Sequence, residues 1–230
     1  MTAFALLHGG SHGGWCWERT APLLEERGHR TVTPDLPMSD PGVGAREWAD
    51  VVVEALHGES DDVVVVGHSM GGLAVPVVAS LLPVRRMVFL GAMVPVPGMS
   101  YAEYLSTPEA AGAITMPMER VDRDDLGRTV VPPDVAREIF FPDCPAEDGE
   151  RAIERLTPNA ATAFTERCPL GHWPDVPSTY VLMTEDRAVG TDWSRRVAAA
   201  RLDGDLRELP GSHSPFYSRP AELADLLMSL

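Results

Sequence analysis

A chain of 230 residues with 44% hydrophobic and 23% charged residues has the size and composition of one large soluble globular domain, or of one domain carrying an insertion. Thirty-four acidic side chains against 19 basic ones leave a net charge of −15, which argues against nucleic acid as a partner and against an anionic membrane surface. All 19 bases are Arg, so chemistry that needs a lysine of the chain's own is excluded: Schiff-base aldolases, internal-aldimine pyridoxal enzymes and P-loop nucleotidases.

Strand-like apolar runs alternate with helix-like stretches. Thr2–His8 reads as a buried strand, followed by the glycine-rich loop His8-Gly-Gly-Ser-His-Gly-Gly14. Trp15–Arg27 predicts a helix stopped by Gly28, and His29–Pro34 a short second strand. Ala45–Leu56 predicts a helix stopped by Gly58. Asp62–Val66, with four consecutive valines, predicts a strand buried on both faces. Gly67–Gly72 reads as a tight turn, and Leu73–Leu82 as a helix kinked at Pro76. Arg86–Val94 is a fourth strand.

From Val96 to Val176 the character changes: many prolines, no long apolar strand, and short amphipathic pieces at Pro133–Phe141 and Ala146–Leu156. Alternation resumes with a strand at Ser178–Thr184, a helix at Asp192–Arg201, a strand at Asp205–Leu209 and a last helix at Pro220–Leu230. The pattern predicts an α/β fold: six main parallel strands in spatial order 2-1-3-4-5-6, flanked by helices. Residues 1–95 and 177–230 form the expected core, and 96–176 an insertion over one end of the sheet.

No apolar run approaches the ~18 residues of a membrane helix, and Met1–Gly10 carries no basic residue ahead of its strand, so neither a span nor a secretory leader is expected. Cys16, Cys144 and Cys168 are odd in number and widely spaced, neither a disulfide framework nor a metal motif. A reducing, cytoplasmic location is the expectation. A homodimer stays open.

The strongest chemical signal is Val63-Val-Val-Val-Gly-His-Ser-Met-Gly-Gly72. It places Gly67-x-Ser69-x-Gly71 directly between a buried strand and a helix, the context of a nucleophile elbow. Ser69 would sit on a strained turn, and its neighbours two before and two after must be small because other backbone passes close by. A hydroxyl needs a base. His213, in Leu209-Pro-Gly-Ser-His-Ser-Pro215, follows the last strand at the end of the sheet where ligands gather. His8, His12, His29, His57, His68 and His172 lack such a context. Asp186, after the strand Thr179–Thr184, is the expected acid that orients His213. Asp192 is its competitor, better suited to capping the next helix. The backbone N–H groups of Gly10 and Met70 are the expected oxyanion hole.

These motifs resemble the α/β-hydrolases, and more narrowly the small-esterase branch of plant methylesterases, plant hydroxynitrile lyases and their bacterial relatives. The residues that carry the resemblance are Leu7–Trp17, Gly67–Gly72, Met183–Arg187 and Gly211–His213, and the likeness extends into the insertion at Asp143–Asp148 and Arg155–Pro158. The resemblance implies that residues 96–176 form a lid over an apolar pocket. It also implies two chemistries for the branch. Its lyases carry Thr where this chain has Gly9, and Lys where it has Ser214; both departures favour ester hydrolysis.

The reading is a serine hydrolase of a small apolar carboxylic ester, acting through an acyl-enzyme without cofactor or metal. The pocket walls are expected among Gly9, Trp15, Met99, Tyr101, Tyr104, Ile114, Met116, Phe140, Phe164, Trp173 and Ser214. The alternatives are a lyase or cyclase of natural-product tailoring, a thioester or lactone hydrolase, and a binding protein on the same scaffold.

Overall fold

The computed structural model describes residues 1–58, 62–202 and 204–230. Its strands are β1 (Ala3–Leu7), β2 (Arg30–Val32), β3 (Val63–His68), β4 (Arg86–Leu90), β5 (Asp122–Arg123), β6 (Thr129–Val130), β7 (Ser178–Met183) and β8 (Leu206–Leu209). Six of them form one parallel sheet in the order β2-β1-β3-β4-β7-β8, the order expected from the alternation. β5 and β6 make a separate two-stranded antiparallel ribbon. Leu7 pairs with Gly67, so the loops that follow β1 and β3 leave the same end of the sheet side by side.

The helices are α1 (Ala21–Glu25), α2 (Ala45–Ala55), α3 (Val75–Leu81), α4 (Tyr101–Leu105), α5 (Pro133–Ile139), α6 (Ala146–Ile153), α7 (Thr162–Thr165), α8 (Thr191–Arg201), α9 (Pro215–Ser218) and α10 (Pro220–Met228). Strand side chains alternate between two apolar layers. Ala3, Ala5, Leu7, Val63, Val65, Met87 and Phe89 face one layer, with Trp48 of α2, Val78 of α3 and Trp193 of α8. Phe4, Leu6, Val64, Val66, Val88 and Leu90 face the other, with Leu24 of α1 and Leu227 of α10. The four valines are buried on both sides of the sheet, each worth roughly 1.5–3 kcal/mol of transfer free energy.

Two helix expectations need correction. Trp15–Arg27 is not one helix: Gly14–Trp17 is a single tight turn, and α1 begins only at Ala21. Pro22 stands in the first turn of α1, where its missing N–H is harmless; in mid-helix its ring would clash with the preceding turn. Pro76 likewise stands in the first turn of α3 rather than at a kink, because Ser69–Leu73 forms a tight helical turn of its own.

Residues 96–176, between β4 and β7, carry α4 to α7 and the β5–β6 ribbon. They contribute to both layers: Tyr101, Tyr104, Ala113 and Leu170 to one, Val135, Ile139, Phe140 and Ala152 to the other. Where the chain leaves β4, Arg201 donates to the carbonyls of Val94 (3.0 Å) and Pro95 and lies 5.7 Å from the ring centres of Tyr104 and Trp173. No helix of the described residues is long and apolar enough to cross a membrane.

Candidate active site

Ser69 follows β3 with φ +50°, a conformation non-glycine residues rarely adopt, and it is only partly buried. The turn is forced by crowding beneath it. A Cβ on Gly71 would strike the carbonyl oxygen of His8, and one on Gly67 would come within 2.9 Å of the Gly71 carbonyl oxygen. The Met93 N–H donates to the Ser69 carbonyl (3.0 Å), pinning the turn to the chain beyond β4.

Asp186 and His213 meet beside it. Nδ1 of His213 lies 2.8 Å from Asp186 Oδ2, and both side chains are 1% exposed. The other Asp186 oxygen accepts from the Ala188 (2.8 Å) and Val189 (3.0 Å) N–H groups, which fixes the carboxylate plane. A carboxylate there favours the ring proton on Nδ1 and leaves Nε2 free to accept one. Asp192, the competing acid, is not the cap of α8, which is Gly190. It stands in the first turn with its side chain 90% exposed, 3.5 Å from Arg195.

Three more histidines are buried near this pair, each bonded to a backbone carbonyl of a loop at the sheet end. Nδ1 of His8 lies 2.9 Å from the Gly9 carbonyl oxygen, Nδ1 of His12 2.9 Å from that of Gly10, and Nε2 of His68 2.9 Å from that of His213. Each nitrogen must donate, because a carbonyl only accepts. Burial pushes all three below the usual histidine range, His12 to about 3. The sequence context gives His68 no catalytic part. Its bond to His213 joins two segments 145 residues apart in the chain, and no local motif signals it.

Three further residues were missed. Gly91 (φ +48°) follows β4, and a Cβ there would meet the Met183 side chain and stand 2.9 Å from Asp186 Oδ2. Asp143 accepts from the N–H (3.0 Å) and the hydroxyl of Ser212, directly before His213. Asn159 reaches Met70, its Nδ2 lying 3.5 Å from the sulfur. Asp143 and Asn159 both come from residues 96–176 and meet their partners only in the folded chain.

Ser69 and His213 line a cavity of about 540 Å³ with Gly10, Met70 and Asn159. Of the expected walls, Ile114, Met116, Phe140 and Phe164 line it too. The rest do not, each for a packing reason. A Cβ on Gly9 would stand 2.7 Å from His68 Nδ1 and 2.8 Å from Ser69 Cβ, so Gly9 packs under the turn. Trp15 stacks on His12 (5.6 Å) beneath the Arg155 guanidinium (4.5 Å). Tyr101 meets Phe164 edge-on (5.7 Å) from behind, and the Tyr104 hydroxyl accepts from Trp193 Nε1 (2.9 Å). Trp173 stacks on Phe89 (6.0 Å), Met99 lines a separate crevice with Leu73 and Cys168, and Ser214 is fully buried.

A more open cleft of about 760 Å³ lies behind Asp186, lined by Arg120, Arg187 and Arg196; neither Ser69 nor His213 faces it. Among the described residues no three His, Cys, Asp or Glu side chains converge as a metal-binding group. The described arrangement offers a strained serine, a buried imidazole–carboxylate pair and an apolar chamber, a set suited to acyl transfer.

The chain is similar along its whole length to several characterised proteins. It is 26% identical to methylesterase 9 of Arabidopsis thaliana, over 100% of this chain and 98% of that one. It is 26% identical to the alpha-hydroxynitrile lyase of the same plant (99% and 96%) and 27% identical to a pyrethroid hydrolase of Sphingobium wenxiniae (99% and 86%). Among solved structures, a pyrethroid hydrolase from Sphingobium faniae superposes with a TM-score of 0.81 at 24% identity, over 99% of this chain and 96% of that one. An Arabidopsis methylesterase superposes with a TM-score of 0.77 at 22% identity, over 100% and 98%. The structural likenesses establish a shared α/β-hydrolase fold. The sequence pattern of the alpha/beta hydrolase family extends from residue 4 to residue 226, and the chain belongs to that family.

Proposed function

We propose that this protein is a serine hydrolase of small, largely apolar carboxylic esters. The observation that carries the reading is the shared cavity: Ser69 at φ +50° and His213, held 2.8 Å from Asp186, open onto the same apolar chamber. Relatives named as methylesterases and a pyrethroid hydrolase support hydrolysis as the reaction class.

In this reading Ser69 Oγ attacks the ester carbonyl while its proton passes to His213 Nε2. The carbonyl oxygen becomes an alkoxide held by the N–H groups of Met70 and Gly10; losing one such donor costs about 3 kcal/mol in characterised enzymes. The tetrahedral species collapses, the C–O bond to the alcohol breaks, and the alcohol leaves with the proton from His213. Water then gives its proton to His213 and attacks the acyl-enzyme. The carboxylic acid leaves as the proton returns to Ser69. Asp186 stabilises the imidazolium in both halves. Residues 96–176 act as the lid, supplying Met116, Phe140 and Phe164 to the chamber.

The relative named as an alpha-hydroxynitrile lyase keeps a second reading in view. Here the chain has no lysine anywhere, and the position after His213 is the fully buried, uncharged Ser214, a poor partner for a departing cyanide. The test is Ser69→Ala on a panel of esters, thioesters, lactones and cyanohydrins, with mass spectrometry for an acyl adduct. Ester hydrolysis by the wild type and a kcat loss of at least about 10⁴-fold in the variant are expected. A variant retaining a tenth of the activity, or cyanohydrin cleavage without ester hydrolysis, overturns the proposal.

A further inference from the structure

Asn159 lines the chamber beside Gly10 and Met70. Its backbone is fixed against β6 by a reciprocal pair of bonds: the Asn159 N–H to the Thr129 carbonyl (2.9 Å), and the Thr129 N–H to the Asn159 carbonyl (2.8 Å). Next to it the Thr157 N–H donates to the carbonyl of Ser11 (2.9 Å), a residue at φ +63° in the loop after β1. The side chain is 5% exposed. Its Nδ2 donates to the Ala160 carbonyl (3.2 Å) and rests on the Met70 sulfur (3.5 Å). Rotating the amide by half a turn would set two carbonyl oxygens against each other, so Ala160 determines which end points where. Oδ1 is left facing the Gly10 side, 3.4 Å from where a Gly10 Cβ would stand, with no partner among the described residues.

We infer that Asn159 Oδ1 is a vacant hydrogen-bond acceptor that selects esters carrying a hydroxyl or N–H on the carbon next to the scissile carbonyl. The inference rests on the serine-esterase reading for the identity of that carbonyl. A buried acceptor without a donor destabilises the fold, and native interiors rarely retain one; an apolar side chain of similar volume would fill the corner at no such cost. Being an oxygen, the vacancy rewards a donor and rejects an ether, a ketone or a carboxylate. Its place beside Gly10 and Met70, the proposed donors to the carbonyl oxygen, puts the recognised group one carbon away from that oxygen. Met70, whose flexible thioether adjoins the amide, is the group a bound substrate would displace. The substrate class is then 2-hydroxy or 2-acylamino esters whose remaining apolar portion fills a chamber of about 540 Å³.

The experiment compares methyl 2-hydroxy-3-phenylpropanoate with methyl 3-phenylpropanoate, which differ only in the hydroxyl. The wild type should favour the hydroxy ester by about tenfold or more in kcat/KM, and Asn159→Leu and Asn159→Ala should both reduce that ratio by about tenfold. An unchanged ratio in the variants, or equal slowing of both esters, overturns the inference and leaves Asn159 a structural residue. Calorimetry of the same pair on Ser69→Ala, with and without Asn159→Leu, reads the affinity ratio without turnover. If the wild type hydrolyses neither ester, the esterase reading fails, and the affinity ratio alone decides whether Oδ1 recognises the hydroxyl.

Discussion

The loops at the sheet end and the segment between β4 and β7 enclose the same chamber, yet they are held by different forces. The loops are fixed from within by main chain and neutral histidines: His12 on Gly10, His68 on His213, the Met93 N–H on Ser69. The histidine rings in these contacts are buried and shielded from salt. Residues 96–176 bury apolar side chains too, but around them runs a girdle of ion pairs: Arg120 with Asp134 and Glu138, Arg137 with Glu150, Arg19 with Asp148, Arg155 with Glu18. Apart from the half-buried Arg19–Asp148 pair, these are exposed pairs of the kind that contribute about 0–1 kcal/mol each and weaken in salt. The proposed catalytic groups therefore rest on desolvated contacts, while residues 96–176 add a layer of salt-sensitive ones.

The sharpest break of that comparison is Asp186→Asn. The amide would offer a donor to Nδ1, favour the wrong tautomer and remove the charge that stabilises imidazolium; kcat should fall about 10⁴-fold with the fold intact. Asp192→Asn, the same chemical change at an exposed site in the first turn of α8, should leave kcat within about twofold. Steady-state kinetics of the pair decides; a larger loss at Asp192 would move the acid to the other residue.

A smaller effect tests the histidines alone. Above about pH 6.5 neither the folded nor the unfolded chain protonates them. Below it the unfolded chain takes up protons that the folded chain refuses, His12 down to about pH 3, so stability falls as pH falls across that window. Each histidine contributes up to about 1.4 kcal/mol per pH unit. Urea unfolding at pH 7 and pH 5.5 should show the loss, and His12→Gln should make it shallower by about one proton. An identical slope in the variant would mean that His12 charges freely in the folded protein.

The smallest effect lies where the two halves touch. Asp143→Ala removes the carboxylate that grips Ser212, and kcat should fall about tenfold at nearly constant KM as His213 loses its fixed orientation. Asp143→Asn, which keeps an acceptor for the Ser212 N–H, should recover most of the rate. Equal losses in both variants, tracking a lowered melting temperature, would make the contact purely structural.

What could be read from the sequence follows the same division. Strand order, the three strand ends bearing Ser69, Asp186 and His213, and the crowded glycines around Ser69 are matters of local backbone, which hydrophobic period and turn chemistry encode directly. The chamber walls are not. Trp15, Tyr101, Tyr104 and Trp173 have the composition of a pocket, yet each found an aromatic or guanidinium neighbour elsewhere. Asp143 begins a stretch that carries part of the family resemblance, but nothing local assigns it or Asn159 a role, and their partners lie 69 and 89 residues away along the chain. A continuous helix over Trp15–Arg27 does not form, because Pro22 is accommodated only in a helix's first turn.

Residues 96–176 place side chains in both apolar layers, Tyr101 and Leu170 against one face of the sheet and Ile139 and Phe140 against the other. A cover anchored like a saddle cannot lift away as one rigid flap without stripping two cores at once. Substrate traffic is then expected to use small rearrangements near the half-exposed Met118 at the chamber rim. For an engineer, transplanting a whole cover from a relative would threaten the scaffold on both flanks. Retuning selectivity one wall residue at a time, beginning with Met116 and Phe164, leaves the saddle in place.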